Sequence, residues 1–284
     1  MVFKTLGKNS PHTGERGCAP VRERTNGIGR HRMTSLKTIV TFLDRELNIK
    51  AFSDDSHNGL QVENSGKITR VCVGVDASLA FFEEAVKYKA DLVICHHGLS
   101  WGDSLKRITD LNYRRLKFLL DNNLALYACH LPLDAHPRHG NNAQICKAFG
   151  LQRLKPFGLY HGISIGFSGS LPKAMPYTAF KAHAHHVIGN IVGTMDFGKS
   201  IVRTVAIVSG GAAAEIDEAG QKGIDVYISG EPKLVAYHLA QEYGINAIFA
   251  GHYATEVFGV KALARLLESR FRVTTKFLDM GIRF

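Results

Sequence analysis

Two stretches, Val71-Cys-Val-Gly-Val75 and Ala90-Asp-Leu-Val-Ile-Cys-His-His97, decide the fold class of this chain. Both are short apolar runs rich in β-branched residues, which is typical of buried strands. Residues 78–89, between them, have the apolar spacing of an amphipathic helix. A strand, a helix and a second strand in this order form a βαβ unit, whose two strands lie parallel in one sheet.

The same alternation continues to the end of the chain. Further strands are predicted over residues 125–129, 158–169, 202–208, 225–229, 247–250 and 273–278. Helices are predicted over residues 34–47, 113–122, 141–149, 177–185, 212–222, 233–243 and 255–269, the first with Thr34 or Ser35 as its N-cap. We therefore expect an α/β protein with mainly parallel sheets.

The first βαβ unit has a counterpart 134 residues later. Val205-Ala-Ile-Val-Ser209 matches the first strand, and Ile224-Asp-Val-Tyr-Ile-Ser-Gly-Glu231 matches the second strand. The spacing from the first Val to the Asp is the same in both units. Either an internal duplication or the chance likeness of two βαβ units explains this pattern.

The formal charge of +10 is concentrated at the start of the chain. Residues 1–32 contain seven Lys or Arg and two Glu, and repeated Gly and Pro interrupt every apolar period. We expect these residues to form a disordered basic tail, or to lie upstream of a start at Met33, with a functional arm as the alternative. Because half of the net charge lies there, nucleic acid is not expected as a partner.

The composition of the whole chain is that of a globular protein from a reducing compartment. The five cysteines are an odd number and form no C-x-x-C pair, so we expect no disulfides. No apolar run approaches the roughly 20 residues that cross a bilayer. We expect a soluble, cytoplasmic protein without membrane contacts.

Polar side chains follow four of the predicted strands. They are His96 and His97, then His130 and Asp134, then Glu231, and finally His252 and Glu256. Ligands of open α/β sheets bind outside the carboxyl ends of the strands. We therefore expect these side chains to meet at one edge of the sheet.

Five of them, His96, His97, Asp134, His252 and Glu256, suit a site for two divalent metal ions. Consecutive residues of a strand point to opposite sides, so His96 and His97 fit two ions better than one. His252 and Glu256 lie one helical turn apart, and the Glu256 carboxylate can bridge both ions. Asp134 follows Pro132 in a predicted loop. Five donors leave open positions for water or substrate.

Each of these residues has a simpler reading when it is taken alone. A single His at a strand end is more often a hydrogen-bonded structural group, and Asp134 alone is typical of a turn. His130 and Glu231 are candidate catalytic proton carriers. His130 can instead orient a metal ligand through its second ring nitrogen, and Glu231 can instead support a ligand or cap the helix that follows Pro232. The donor set suits Zn, Fe, Mn, Co or Ni without choosing among them.

Six motifs resemble the Nif-three-like family of dinuclear metal-centre hexameric proteins, some of which carry the label GTP cyclohydrolase I type 2. They are Asp55-Ser-His-Asn-Gly-Leu-Gln61, Gly74-Val-Asp-Ala-Ser78, Ile94-Cys-His-His-Gly98, His130-Leu-Pro-Leu-Asp134, Ser229-Gly-Glu231 and Gly251-His-Tyr-Ala-Thr-Glu256. The resemblance places the same five residues on the family's metal-ligand positions, with Glu256 bridging. It also implies a homohexamer, a dimer of trimers, of chains with two α/β domains. We expect residues 34–148 plus 250–284 to form the metal-binding domain and residues 149–249 the second domain.

The function predicted from this ligand set is metal-dependent hydrolysis of a nucleotide or other phosphorylated small molecule. A metal-dependent binding or regulatory ring without turnover uses the same ligands and stays open. Nucleic-acid binding through a basic surface is the third and weakest alternative.

Overall fold

The computed structural model describes residues 34–284, and the predicted basic tail lies outside these residues. The described strands are β1 (Thr34–Ser35), β2 (Gly59–Val62), β3 (Lys67–Ile68), β4 (Arg70–Asp76), β5 (Leu92–His97), β6 (Ala125–Ala128), β7 (Gln152–Tyr160), β8 (Ile163–Pro176), β9 (Gly193–Asp196), β10 (Ile201–Ile207), β11 (Val226–Ser229), β12 (Asn246–Phe249) and β13 (Thr274–Phe277). The described α-helices are α1 (Leu36–Glu46), α2 (Leu79–Lys87), α3 (Asp110–Asp121), α4 (Leu131–Asp134), α5 (Asn141–Ala148), α6 (Tyr177–Ile188), α7 (Ile216–Gln221), α8 (Leu234–Tyr243) and α9 (His252–Arg270).

The first large sheet has the strand order β13-β4-β5-β6-β2, and only the edge pair β6–β2 is antiparallel. Helices cover both faces, so the inner strands are apolar on both sides. Val71 and Val73 pack with α1 and α9 on one face. Cys72 and Val93 pack with α2 and α3 on the other.

The second large sheet has the order β7-β8-β10-β11-β12-β9. Its centre, β10-β11-β12, is parallel, and the outer pairs are antiparallel. Ile207 and Ile228 pack with α5 and α6 on one face. Tyr227 and Phe249 pack with α7 and α8 on the other. The predicted α/β class with mostly parallel sheets is confirmed.

The single strand predicted over residues 158–169 is wrong in detail. The chain forms a hairpin there, because Tyr160 pairs with Ile163 across a two-residue turn. His161 and Gly162 in that turn have φ angles of 48° and 82°. Such positive angles at both positions are what a tight hairpin turn requires, and Gly adopts them freely. The short edge strands β2 and β9 were also not predicted, since their pairing partners are remote in sequence.

The two echoed βαβ units fold with the same register. Val71 pairs with Leu92 in the first sheet, and Val205 pairs with Val226 in the second. One Asp accepts backbone hydrogen bonds at the start of each unit. Asp91 accepts them from the N–H groups of Thr69 and Arg70. Asp225 accepts them from the N–H groups of Arg203 and Thr204. The likeness seen in the sequence is therefore a likeness of local structure.

The strands divide between the sheets along the chain. All strands of the five-stranded sheet lie within 59–128 and 274–277, and all strands of the six-stranded sheet lie within 152–249. Residues 34–284 nevertheless belong to one compact unit. The division into domains at 34–148 plus 250–284 and 149–249 stays a prediction. None of the helices described over residues 34–284 is long and apolar enough to cross a membrane.

Candidate metal centre

Both large sheets contribute to one buried polar cluster. His96 and His97 end β5, and Asp134 ends the short helix α4 that follows β6. His252 and Glu256 lie in the first turns of α9, which follows β12 of the other sheet. The side chains therefore come from strand ends of two sheets, and the expectation of one sheet edge needs this correction.

Two local predictions near these residues also change. Asp134 lies in a helical turn rather than a loop, because Pro132 in the first turn of α4 favours helix initiation. Helix α9 begins at His252, three residues before the predicted start. The predicted one-turn spacing of His252 and Glu256 is therefore realised within the helix itself.

Glu256 is the centre of the cluster and is almost fully buried. Its Oε1 lies 3.0 Å from Nε2 of His252 and 3.4 Å from Nε2 of His96. Its Oε2 lies 3.3 Å from Nε2 of His97. Within residues 34–284, two groups of three donors share this carboxylate: His96–Asp134–Glu256 and His97–His252–Glu256. The ligand atoms of each group lie within 4.8 Å of one another.

Each of the three imidazoles is oriented by a hydrogen-bond acceptor at Nδ1. His96 Nδ1 lies 2.9 Å from the carbonyl oxygen of Cys129, which can only accept a hydrogen bond. His97 Nδ1 lies 2.8 Å from Oδ1 of Asp76, and His252 Nδ1 lies 2.6 Å from Oε1 of Glu231. An Nδ1–H that donates in this way leaves the Nε2 lone pair facing the cluster, as metal-binding histidines do.

Asp134 is held on one oxygen and presents the other. Its Oδ1 accepts hydrogen bonds from Asn141 Nδ2 and Ser209 Oγ, both at 2.9 Å. Its Oδ2 faces His96 Nε2 at 3.4 Å. Ser209 belongs to the second sheet region, so this carboxylate is fixed by contacts that only the tertiary fold creates.

The polar atoms of the cluster do not satisfy one another by hydrogen bonds, which leaves them able to bind cations. Nε2 of His96 and Oε2 of Glu256 are buried and have no hydrogen-bond partner among the described residues. Burial alone raises the pKa of Glu256, but the imidazoles of His96 and His97 outweigh it and hold that pKa well below its usual value. A buried, ionised carboxylate that faces the Nε2 atoms of three imidazoles is a good fit for metal ions, which would take the place of imidazole protons.

The backbone at Gly210 leaves room for this arrangement. A Cβ atom there would overlap Oε1 of Glu256 and would lie 3.1 Å from Nε2 of His252. The φ angle of 69° is also one that other residues rarely adopt. The centre thus requires a glycine at position 210.

His130 lies beside the centre. Its Nδ1 is 2.9 Å from Oδ1 of Asp54, which is not one of the five predicted metal donors. A ring nitrogen of His130 lies within 4.8 Å of ring nitrogens of His96 and His97. Burial raises the pKa of Asp54, but its bonds to His130 outweigh burial and lower the pKa to about 2. Asp54 was missed in the sequence, because nothing distinguishes it from an ordinary loop Asp.

Glu231 and Asp76 each hold an imidazole of the cluster in place. Both carboxylates engage Nδ1 of a His whose Nε2 faces Glu256. Asp76 lies in a motif noted in the sequence, but it received no role there. The matching end of β11 was the signal that singled out Glu231.

Comparison with known proteins extends these observations. The model of the family Duf34/NIF3 (NGG1p interacting factor 3) matches residues 34–281. A Deinococcus radiodurans protein named GTP cyclohydrolase 1 type 2 homolog is 42% identical over 241 residues, which cover 85% of this chain and 91% of the relative. An Archaeoglobus fulgidus protein of the same name is 44% identical over 246 residues, which cover 87% of this chain and 98% of the relative.

Two solved structures agree with the fold. The protein ybgI, described as of unknown function, superposes with a TM-score of 0.83 at 34% identity, covering 88% of this chain and 100% of that one. A Thermus thermophilus protein superposes with a TM-score of 0.81 at 36% identity, with the same coverage of 88% and 100%. The family match spans nearly all of the described residues, and the chain belongs to the Duf34/NIF3 (NGG1p interacting factor 3) family.

Proposed function

We propose that the centre holds two divalent metal ions per chain and catalyses metal-dependent hydrolysis of a nucleotide or other phosphorylated small molecule. The observation that carries this proposal is the sharing of Glu256 by two three-donor groups. His96, Asp134 and Glu256 would hold one ion, and His97, His252 and Glu256 the other. The donor set accepts Zn, Fe, Mn, Co or Ni.

The exposure of the donors tells which side a substrate approaches from. The His96 side chain is fully buried, whereas those of His97 and His252 are 20% and 30% exposed. A substrate would therefore reach the centre past His97 and His252. Metal ions held here would polarise a carbonyl or phosphoryl group and would make water a stronger nucleophile near neutral pH.

Residues around this open side supply the remaining functions. His130, fixed by Asp54 at Nδ1, keeps Nε2 free to move a proton at the reacting group. Glu231 orients His252, and its 43% exposed carboxylate is the second candidate proton acceptor. Lys233 donates to the carbonyl oxygen of Gly211 at 2.8 Å, which holds its ammonium near Glu231, where it suits a substrate phosphate.

We also propose that the chain works as a homo-oligomer, a hexamer built as a dimer of trimers. Apolar side chains that line one surface along α3 support this proposal, namely Ile108, Tyr113 and Leu120, which are 58%, 51% and 63% exposed. Exposed apolar surface of this kind marks protein–protein contacts. Mass measurement in solution tests it, and a monomer at micromolar concentration would contradict it.

Activity is tested with the metal-loaded protein and a panel of nucleotides and phosphoesters. GTP comes first, because the relatives are named GTP cyclohydrolase 1 type 2 homolog. Wild type should form product, and metal-stripped protein and His97→Ala should not. Equal turnover in all three would refute the proposal. Tight, metal-dependent binding without product would instead favour the non-catalytic ring.

A further inference from the structure

Three adjoining surface cavities lie along α1, residues 136–139 and the second half of α9. The first and second cavities share Phe42, Arg45 and Arg270. The second and third share Arg138. The three cavities therefore form one continuous surface, and none of the five candidate metal donors lines it.

This surface is strongly and almost purely basic. Its only acidic lining residue is Glu46, and its Lys and Arg residues, which we call the basic strip, are Lys37, Arg45, Arg138, Lys147, Arg265 and Arg270. Residues 33–284 contain 28 Lys and Arg and 23 Asp and Glu. Without the six cations and Glu46, 22 residues of each sign remain. The whole net charge of this part of the chain thus lies on the basic strip.

Glu46 pairs with one cation of the basic strip, and the lining of the three cavities offers no acidic partner to the other five. Oε1 of Glu46 lies 3.3 Å from Arg138 Nη2, 3.6 Å from His136 Nε2 and 3.7 Å from His139 Nε2. Glu46 is therefore enclosed by its own neighbours.

The other half of the net charge lies in residues 1–32, outside the described residues. Residues 1–32 carry a net charge of +5. The net charge of +10 is thus divided equally between residues 1–32 and the basic strip. The sequence concealed this, because Lys37 and Arg270 lie at opposite ends of the chain.

We propose that the basic strip binds the phosphate backbone of nucleic acid without reading its sequence. Four of the six cations are arginines, whose planar guanidinium suits phosphate oxygens. The cations follow three cavities instead of converging on one, which fits a row of phosphates better than a single anion. This differs from the expectation, based on charge distribution along the sequence, that nucleic acid is no partner, and it is independent of the metal centre.

The test compares two triple variants of the full-length protein. Arg138→Gln, Arg265→Gln and Arg270→Gln together remove three cations of the basic strip. Lys87→Gln, Lys106→Gln and Lys117→Gln remove the same charge from exposed ion pairs elsewhere. Fluorescence anisotropy with a labelled duplex of about 24 base pairs, from about 50 to about 200 mM salt, gives affinity and salt dependence.

The strip variant should bind at least about tenfold more weakly, and the slope of log K against log salt should fall by about 3. The control variant should keep a slope close to that of wild type. Equal losses in both variants would overturn the proposal, because net charge alone would explain binding. No measurable binding by wild type would overturn it as well.

Two further measurements exclude other uses of the basic strip. If deletion of residues 1–32 abolishes binding while the strip variant binds like wild type, the tail alone is responsible and the proposal fails. If the strip variant changes the oligomeric mass but not the affinity, the surface is a subunit contact and the proposal fails. Unchanged circular dichroism and metal content show that the variant is folded.

Discussion

Replacing Glu256 by Gln tests the centre most directly, because this carboxylate belongs to both three-donor groups. Gln keeps the size of the side chain and removes its charge. In the wild type its two oxygens face His252 and His96 on one side and His97 on the other, at 3.0 to 3.4 Å. Both ions should therefore be lost together, whereas Asp134→Asn and His252→Ala should each release one ion first.

The magnitude follows from the position of each residue. Mutation of a group that only orients a metal ligand lowers metal affinity by about 10- to 100-fold. Loss of a buried ligand shared by both ions should lower the metal affinity of each site by more than about 100-fold, which corresponds to more than about 2.7 kcal/mol. Bound metal stabilises only the folded state, so added metal should raise the Tm of wild type and not that of Glu256→Gln.

Elemental analysis and competition with a chelator measure this prediction. Wild type should hold two ions, each single-site variant about one, and Glu256→Gln none. Glu242→Gln, an exposed change on α8, is the matched control and should keep both ions. Two ions retained by Glu256→Gln at wild-type affinity would refute the bridging role.

Three further predictions concern residues around the centre and the second sheet. Glu231→Gln weakens the hold on His252, so calorimetry should show about 10- to 100-fold lower affinity for one ion and little change for the other. Gly210→Ala places a Cβ against Glu256, so elemental analysis should show loss of metal, whereas Gly211→Ala, with no contact closer than 3.6 Å, should retain it. Asp225→Asn should lower the free energy of unfolding by about 1 to 3 kcal/mol in urea titrations, because two backbone N–H groups lose a charged acceptor.

The effect at Asp225 depends on pH with a defined sign. Burial raises its pKa, but the bonds to Lys199, Arg203 and Thr204 outweigh burial and leave the pKa lowered. Its stabilisation is therefore complete above the unfolded value of about 3.9 and disappears as pH falls through the folded pKa. The difference between wild type and Asp225→Asn should shrink in that acidic range. A constant difference, or the same loss in the exposed control Asp103→Asn, would contradict this account.

The sequence alone determined the α/β class, most helices and strands, and the residue types of the centre. Buried parallel strands leave apolar runs that are visible without coordinates, as in Val71–Val75 and 91–95. His252 and Glu256 are one helical turn apart, so the proximity of their side chains also follows from the sequence. The echo between the two βαβ units was equally visible, since Asp91 and Asp225 stand at matching positions.

Only the tertiary structure decided where these residues meet. The strand ends of two sheets, rather than one edge of one sheet, supply the donors, and helix α9 packs against both cores. Asp54, Asp76 and Gly210 gained their roles in the same way, from contacts between segments remote in the chain. Hydrophobic periodicity reports which face of an element is buried, but it carries no information on which buried faces come together.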